Sequence, residues 1–323
     1  MNKYIQHIVN ELKGKIVKIK NAEELSGFLE QSKKIADQEW LYHCTDRHAL
    51  MSILKNREFY LKNLVYVNDE EEADAIDVNE YRNTFYVGCF SSEIVDTPEH
   101  SEEYGKTEDS VIIAMKKEWF TRDIHFLDSG EGKWGDLGDT FRIFPNMRDV
   151  MAFQRNELIH NRFCYPYYID DYGFYGIIYD DNEKQSIKCD ISLNLNGTEI
   201  KGITFIPELA GIIKKKSGIS KRTQKMRMWS DEKEIRLKVC IHQIDHIQNG
   251  MEYHDDAMVP ITIRQVVVKL TENAFNSLYI YFPSTFIDKE GYIEDLKTEI
   301  PRLRISVMDE ASRNNPLKNK EQI

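Results

Sequence analysis

The chain has 323 residues, of which 41% are hydrophobic and 30% charged, a balance typical of a globular protein with an ample core. Its net charge of −11 argues against a surface that binds nucleic acid over its whole extent, and no apolar run approaches the roughly 18–20 residues of a membrane-spanning helix. The N-terminal residues lack the apolar stretch of a signal peptide. Five scattered cysteines, none in a Cys-x-x-Cys pair, predict a reduced, cytoplasmic setting without a disulfide framework.

The first 36 residues predict two helices. Tyr4, Ile8 and Leu12 recur at the spacing of one helical face. A second, poorer apolar stripe begins at Leu25. We therefore predict an N-terminal helical segment over residues 1–36, which either packs on the domain that follows or binds a protein partner.

The stretch Leu-Tyr-His-Cys-Thr-Asp that ends at Asp46 predicts a short strand running into a helix. Its first residues are the apolar and aromatic types that strands favour. Asp46, or Thr45, can cap the helix, because its side-chain oxygen can accept a hydrogen bond from a free amide of the first turn. His43 and Thr45 therefore lie at a strand-to-helix turn, where side chains and backbone amides can face a ligand.

The middle of the chain predicts strands separated by long loops. From their β-branched and aromatic content we predict strands at residues 58–61, 84–91, 111–115 and 163–179. Asn68 and Asp69 predict a turn. The acidic residues 92–109 predict an exposed loop, and the glycine-rich residues 129–148 predict a long loop of the kind that is often functional. Residues 149–161 predict a helix.

The second half of the chain predicts a hairpin and a charged strand. Asn196 and Gly197, between two strand-like runs, predict a tight β-hairpin. Charged and apolar residues alternate from Glu234 to Val239, which predicts a half-exposed strand with Glu234 and Arg236 on one face. The remaining predicted elements are a strand at 261–270, a helix at 272–280, a strand at 303–307 and a polar tail over 309–323. Because strands and helices do not alternate regularly, the order predicts an α+β fold.

Common catalytic and metal-binding motifs are absent from the sequence. It holds no Walker loop, no glycine-rich dinucleotide motif after a strand, no H-E-x-x-H and no G-x-S-x-G. His242 and His246 lie four residues apart, but no third ligand stands at a metal-binding spacing, so we predict no metal site. The basic run at residues 214–227 predicts a solvated face or, as the alternative, a contact with nucleic acid or another polyanion.

Four short motifs occur in order along the chain, and they are Tyr42-His43-Cys44-Thr45, Asn68-Asp69, Phe90-Ser91 and Glu232-x-Glu234-x-Arg236. Their order resembles a widespread bacterial family of unknown function. Its members carry a Tyr-His-Tyr-Thr opening, an Asn-Asp turn, a Phe-Ser strand end and a late Glu-x-Glu-x-Arg strand. The resemblance covers residues 40–270, with Cys44 standing where the family usually has an aromatic residue.

A looser resemblance lies behind this one. A His-x-Thr strand followed by a helix, an aromatic second strand and a late glutamate strand is similar to the His-Tyr-Glu class of ADP-ribosyltransferases. This resemblance implies a split, two-sheet α+β fold over residues 37–308 that binds NAD. It also implies transfer of ADP-ribose to a protein or nucleic-acid acceptor, or hydrolysis of NAD, in a bacterial toxin or defence effector.

The same resemblance implies roles for individual residues. His43 would bond a ribose hydroxyl of NAD, and Thr45 would fix the backbone there. Tyr60 or Tyr66 would stack on the nicotinamide, and Glu234 would accept from the 2′-hydroxyl of the nicotinamide ribose. The implied contacts with NAD are completed by Ser91 and Arg236.

These roles suit the chemistry of breaking a glycosidic bond. The sugar becomes positively charged as nicotinamide leaves, and a fixed carboxylate such as Glu234 stabilises that charge. Each residue also has an ordinary alternative, because His43 can bond a buried carbonyl, and Glu234 with Arg236 can form a surface ion pair of little energetic value. The alternative function is a non-catalytic module of the same fold that binds a nucleotide or nucleic acid.

Overall fold

A computed structural model gives the fold of the chain and describes residues 16–19, 22–69, 84–104, 108–126, 141–146, 148–149, 165–181, 188–195, 198–205, 209–243, 246–248, 251–253, 265–275 and 278–309. Within these ranges the α-helices are α1 (Ala22–Ile35), α2 (Arg47–Asn56), α3 (Pro98–Tyr104) and α4 (Lys289–Glu299). None of the helices described is long and apolar enough to cross a membrane.

The strands are short and numerous. In chain order they are β1 (Ile16–Ile19), β2 (Leu41–Asp46), β3 (Glu58–Asn63), β4 (Phe85–Ser91), β5 (Ser110–Met115), β6 (Phe120–Phe126), β7 (Phe141–Phe144), β8 (Tyr165–Gly176), β9 (Ile178–Tyr179), β10 (Lys188–Leu195), β11 (Thr198–Phe205), β12 (Ile213–Lys214), β13 (Ser217–Ile219), β14 (Met226–Met228), β15 (Glu234–Gln243), β16 (His246–Gln248), β17 (Met251–Tyr253), β18 (Gln265–Leu270), β19 (Leu278–Tyr281) and β20 (Ile305–Val307).

One large sheet organises the described residues. It holds eleven of the described strands, in the order β20-β19-β5-β2-β4-β15-β8-β7, with β3, β18 and β6 branching from β4. Its pairs are antiparallel except for β19 with β20 and β7 with β8. A mostly antiparallel sheet with four described helices confirms the predicted α+β class.

The sheet forks at β4. One edge of β4 pairs with β15 along its whole length. The other edge pairs with β2 only at Ser91 and with β3 only at Tyr86 and Val87. Residues 88–90 therefore lie where the sheet divides into two branches.

The strand-to-helix turn after β2 is confirmed. The Asp46 carboxylate caps α2, because its Oδ1 accepts from the backbone amides of His48 and Ala49 at 2.9 and 2.8 Å. Leu50 and Ile53 on the inner face of α2 are buried in the main core. This turn fixes the end of β2, the strand that carries His43.

Most of the predicted strands are confirmed, including β3, β4, β5 and β8. The predicted hairpin is confirmed too, since β10 and β11 pair antiparallel with Leu195 opposite Thr198, although the two turn residues lie outside the described ranges. Predictions for residues 1–15, 150–161 and 310–323 also lie outside those ranges.

Three predicted elements are wrong. Residues 16–19 form a strand that pairs with β10, not part of a helix. The predicted exposed loop at residues 92–109 contains α3, and the predicted loop at 129–148 contains β7, which pairs with β8. In each case a partner distant in the sequence overrides a weak local signal.

The predicted helix at residues 272–280 is also wrong. Residues 272–275 form one turn of 3-10 helix, and β19 then pairs with β5 and β20. A strand forms here instead of a helix because its side chains are buried and both of its edges pair with neighbouring strands.

The predicted strand with alternating charged and apolar residues is confirmed as β15, but the predicted exposure of its charged face is wrong. Glu234, Arg236 and Lys238 leave 3%, 1% and 0% of their surface accessible. The Lys238 ammonium lies 5.1 and 5.4 Å from the ring centroids of Phe85 and Tyr175. The charged face of β15 is therefore covered, and its charges are paired inside the protein.

Candidate functional site

A small pocket opens beside the end of β4. Ser91 pairs with Tyr42 of β2 on one edge and with Glu234 of β15 on the other. The pocket is lined by side chains from these three strands, from α3 and from the turn before β15, and its volume is about 40 Å³. His43 and Glu234, which are far apart in the sequence, both line it.

His43 stands at the fork of the sheet with a defined proton position. Its Nδ1 lies 2.9 Å from the carbonyl oxygen of Cys89, and because a carbonyl only accepts, Nδ1 carries the proton. Burial, together with the positive charge of Lys62, lowers the pKa of His43 to about 4. The ring is therefore neutral at physiological pH, and its Nε2 is an acceptor.

Two cations fix the carboxylate of Glu234. Oε1 accepts from Arg236 Nε at 2.6 Å, and Oε2 accepts from Lys214 Nζ at 3.3 Å. Arg236 also donates to the carbonyl oxygen of Gly211 at 2.9 Å. Burial alone would raise the pKa of Glu234, but Arg236 and Lys214 outweigh it and lower the pKa to about 2. The carboxylate is thus ionised and held in place.

A second buried carboxylate lies in the same pocket. Glu232 accepts from the Tyr104 hydroxyl at 2.8 Å and from Arg227 at 3.1 Å. Burial and the nearby charge of Glu234 raise the pKa of Glu232, while Lys214 opposes them. The two glutamates therefore differ, since one is strongly ionised and the other binds a proton more readily.

Two polar atoms of the pocket have no partner among the residues that the structure describes. These are the hydroxyl of Tyr42 and Nδ1 of His100, and both side chains line the pocket. Their residues are 3% and 5% exposed. A buried polar group without a partner costs about 1–3 kcal/mol, so the pocket holds hydrogen-bonding capacity that a bound molecule can satisfy.

Four of the residues proposed from the sequence do not line this pocket, and one of them, Arg236, acts on it only through its bond to Glu234. Thr45 is buried in β2 beyond the pocket lining. Tyr60 lies on β3 with its hydroxyl 3.4 Å from that of Ser52, and Tyr66 is 38% exposed. Neither tyrosine lines the pocket, where the tyrosines are Tyr42 and Tyr104.

Most basic side chains described in residues 214–227 make hydrogen bonds or ion pairs with other parts of the chain. Arg222 donates to the carbonyl oxygen of Glu103 at 2.8 Å, and Lys225 bonds the carboxylate of Glu102 at 2.8 Å. Lys214 and Arg227 bond the pocket glutamates as described above. These contacts join the run to α3 and leave fewer cations to face a polyanion.

The structure adds pocket residues that the sequence analysis did not single out. His100 and Tyr104 come from α3, which lies in the stretch expected to be a loop, and Cys89 comes from the middle of β4. Glu232 was visible in the late Glu-x-Glu-x-Arg motif but had no role assigned. Lys214 was part of the basic run, and nothing in its neighbours signals that it faces Glu234.

Known proteins supply no further guidance on this site. Comparisons of the chain with protein-family models, with curated sequences and with solved structures found no match. The function is therefore argued from the pocket itself.

Proposed function

We propose that this chain is an ADP-ribosyltransferase-like enzyme that consumes NAD and passes ADP-ribose to a macromolecular acceptor or to water. The observation that carries the proposal is that His43 and Glu234 line one pocket. The fork of the sheet at β4 is compatible with the split, two-sheet fold that the sequence resemblance implies. Both features were required by the resemblance, and neither is a local property of the sequence.

The pocket has suitable groups for a sugar diol. The Nε2 of His43 accepts from one hydroxyl, and the hydroxyl of Tyr42 can donate to a ring or hydroxyl oxygen. The carboxylate of Glu234 accepts hydrogen bonds from Lys214 and Arg236 and from the Cys89 thiol, and an ionised carboxylate has about four lone-pair sites. It can therefore accept from a ribose hydroxyl without releasing Arg236 or Lys214.

The proposed reaction uses this fixed carboxylate. The bond from the ribose C1′ to the nicotinamide nitrogen breaks, and nicotinamide leaves with the bonding electrons. An acceptor oxygen or nitrogen, or water, then bonds to C1′ and loses a proton. Glu234 orients the sugar and stabilises its developing positive charge, a kind of interaction whose loss costs about 10²–10³ in rate.

NAD binding requires the pocket to widen. Its volume is about 40 Å³, whereas an apolar cavity known to bind benzene measures about 150 Å³. The pocket as it stands takes the edge of a sugar but not a nicotinamide ring. The wall formed by α3 is connected to the 220–227 segment mainly by polar side-chain contacts, and its displacement is part of the proposal.

The test is nicotinamide release from NAD by the purified chain, with a protein or nucleic-acid mixture as a source of acceptors. We expect Glu234→Gln to lower the rate at least about a hundredfold and Tyr42→Phe to lower kcat/KM up to about tenfold. Glu93→Gln removes a half-exposed carboxylate that bonds Lys233 and serves as the matched control. Turnover that survives Glu234→Gln overturns the catalytic assignment, and NAD binding without release supports the non-catalytic alternative.

A further inference from the structure

A second cluster of reactive side chains lies toward the far end of β15 from the pocket. Asp170, Cys240 and His242 each offer one ligand atom, and the three atoms lie within 4.8 Å of one another. Cys240 Sγ is 3.3 Å from His242 Nε2, which is 3.6 Å from Asp170 Oδ2. Cys240 lies six positions after Glu234 along β15, about 20 Å at 3.3 Å per residue, so the cluster is separate from the pocket.

A β-bulge brings the three side chains together. Cys240 and His242 share one face of β15 because they are two residues apart. On β8, Cys240 pairs with Asp171 and Ile241 pairs with Ile169, so Asp170 is the extra residue of a bulge. A bulge re-aims a side chain that regular pleating would direct to the opposite face.

Two of the three distances are close to those between ligands of one tetrahedral ion. Zinc bonds of about 2.3 Å to sulfur, 2.05 Å to imidazole nitrogen and 2.1 Å to carboxylate oxygen place sulfur and nitrogen about 3.6 Å apart, and nitrogen and oxygen about 3.4 Å apart. The corresponding distances here are 3.3 and 3.6 Å. The Cys240 sulfur and the Asp170 oxygen lie within 4.8 Å of each other, against about 3.6 Å in a tetrahedral zinc site, so these two side chains close on the ion as it binds.

The donor set selects the class of ion. Thiolate and imidazole favour zinc and its neighbours among the transition metals, while magnesium and calcium favour oxygen. The site also has a closed side and an open side, since Cys240 is buried whereas the side chain of Asp170 is 59% exposed. The ring of Tyr168 lies 5.6 Å from that of His242 and limits its rotation.

We propose that Asp170, Cys240 and His242 bind one zinc-class divalent cation through three protein ligands, with the fourth position open to solvent. The Thr84 hydroxyl lies 3.9 Å from Cys240 Sγ and can donate to the thiolate of the loaded site, a contact of the kind that tunes metal ligands. No short motif reveals this site, because Cys-x-His is too brief and Asp170 is far away in the sequence.

The test is metal binding by the tag-free chain after treatment with a chelator. We expect one equivalent of Zn²⁺ to bind, measured by competition with a chromophoric chelator. We also expect Co²⁺ to give a near-ultraviolet thiolate-to-cobalt absorption band. Because loss of an outer-shell partner alone costs about 10–100-fold in affinity, Cys240→Ser, His242→Gln and Asp170→Asn should each weaken binding at least about tenfold.

Matched controls are His125→Gln and Asp123→Asn, which change half-exposed or exposed residues of β6 and should leave the affinity for Zn²⁺ unchanged. If Cys240→Ser fails to fold, the affinity of Asp170→Asn for Zn²⁺ still tests the proposal. The side chain of Asp170 is largely exposed, so its replacement should not prevent folding. The proposal is overturned if the chain fails to bind one equivalent of Zn²⁺. It is also overturned if Asp170→Asn and His242→Gln leave the affinity for Zn²⁺ unchanged, or if the cobalt band survives Cys240→Ser. In each case the three side chains form a hydrogen-bonded cluster only.

Discussion

The Nδ1 atom of His43 donates to the carbonyl oxygen of Cys89 at 2.9 Å, at the point where the sheet divides. A backbone carbonyl at such a fork lacks a strand partner on the divided side, and buried carbonyls require one. The imidazole therefore serves the fold and the pocket together. Its Nδ1 gives the Cys89 carbonyl at the fork a hydrogen-bond partner, and the neutral ring lines the pocket.

Acid should destabilise the fold through His43. Its pKa is about 4 in the folded chain and about 6.5 in the unfolded chain, so the unfolded chain takes up the proton first as pH falls. The contribution to stability is complete above pH ~6.5 and is lost progressively down to pH ~4, by about 3 kcal/mol in all. We expect His43→Asn, whose amide can still donate to Cys89, to reduce the pH dependence of the free energy of unfolding in this window; part of it remains, because burial also lowers the pKa of His100 to about 4. His125→Gln is the control, and equal slopes in wild type and His43→Asn would contradict the assignment.

Removing the Tyr42 hydroxyl should not harm the fold. The hydroxyl is buried and has no partner in the described part of the chain, so Tyr42→Phe removes a desolvation cost and should leave the free energy of unfolding unchanged or raise it by up to about 2 kcal/mol. Tyr104→Phe is the matched comparison. It deprives buried Glu232 of a donor at 2.8 Å and should destabilise by about 1–3 kcal/mol. Urea unfolding of both variants tests this prediction. A lower free energy of unfolding in both variants would show that the Tyr42 hydroxyl has a partner.

Loss of charge at Glu234 should affect stability as well as activity. Arg236 and Lys214 are both buried, and Glu234→Gln leaves them without their carboxylate. Breaking a buried ion pair from one side costs about 3–5 kcal/mol, whereas Glu93→Gln, which breaks a half-exposed pair with Lys233, should cost about 1 kcal/mol or less. Denaturant titration measures both. Activity of Glu234→Gln must therefore be assayed at a temperature where circular dichroism shows the variant to be folded.

The parts of the fold that the sequence predicted are those with local causes. The end of β2 and the start of α2 depend on one capping carboxylate, Asp46, and on apolar spacing within two turns. The pairing of β10 with β11 was predicted from two adjacent residues, Asn196 and Gly197. Such signals lie within about ten residues, so they are readable without knowledge of the rest of the chain.

The parts that were missed depend on partners distant in the sequence. α3 lies in an acidic stretch that resembles a loop, yet its Glu103 is buried because Ser220 donates to both carboxylate oxygens at 2.7 and 2.8 Å. The charged face of β15 was expected to be exposed, and Lys214 and Gly211 cover it from another segment. His100 and Tyr104 of α3 reach the pocket through such long-range contacts, which no local pattern encodes.

Two glycines test whether α1 belongs to the domain. Ser32 of α1 donates to the carbonyl oxygen of Gly176 at 2.7 Å. A Cβ at Gly176 would overlap the side chain of Ile35 and come within 3.1 Å of the carbonyl oxygen of Ser32. Gly176→Ala must therefore displace α1 and should destabilise by about 1–3 kcal/mol.

Gly27 on the same helix is the matched control for this test, since a Cβ there meets nothing within 4 Å. Gly27→Ala should stabilise by about 0.5–1 kcal/mol, because alanine loses less backbone entropy in a helix. Thermal unfolding measures the change in stability of both variants. If Gly176→Ala is less stable and Gly27→Ala more stable than the wild type, each with one cooperative transition, α1 folds as part of the domain. If Gly176→Ala leaves stability unchanged, α1 does not pack on β8 in solution, and the alternative in which residues 1–36 serve a protein partner gains support.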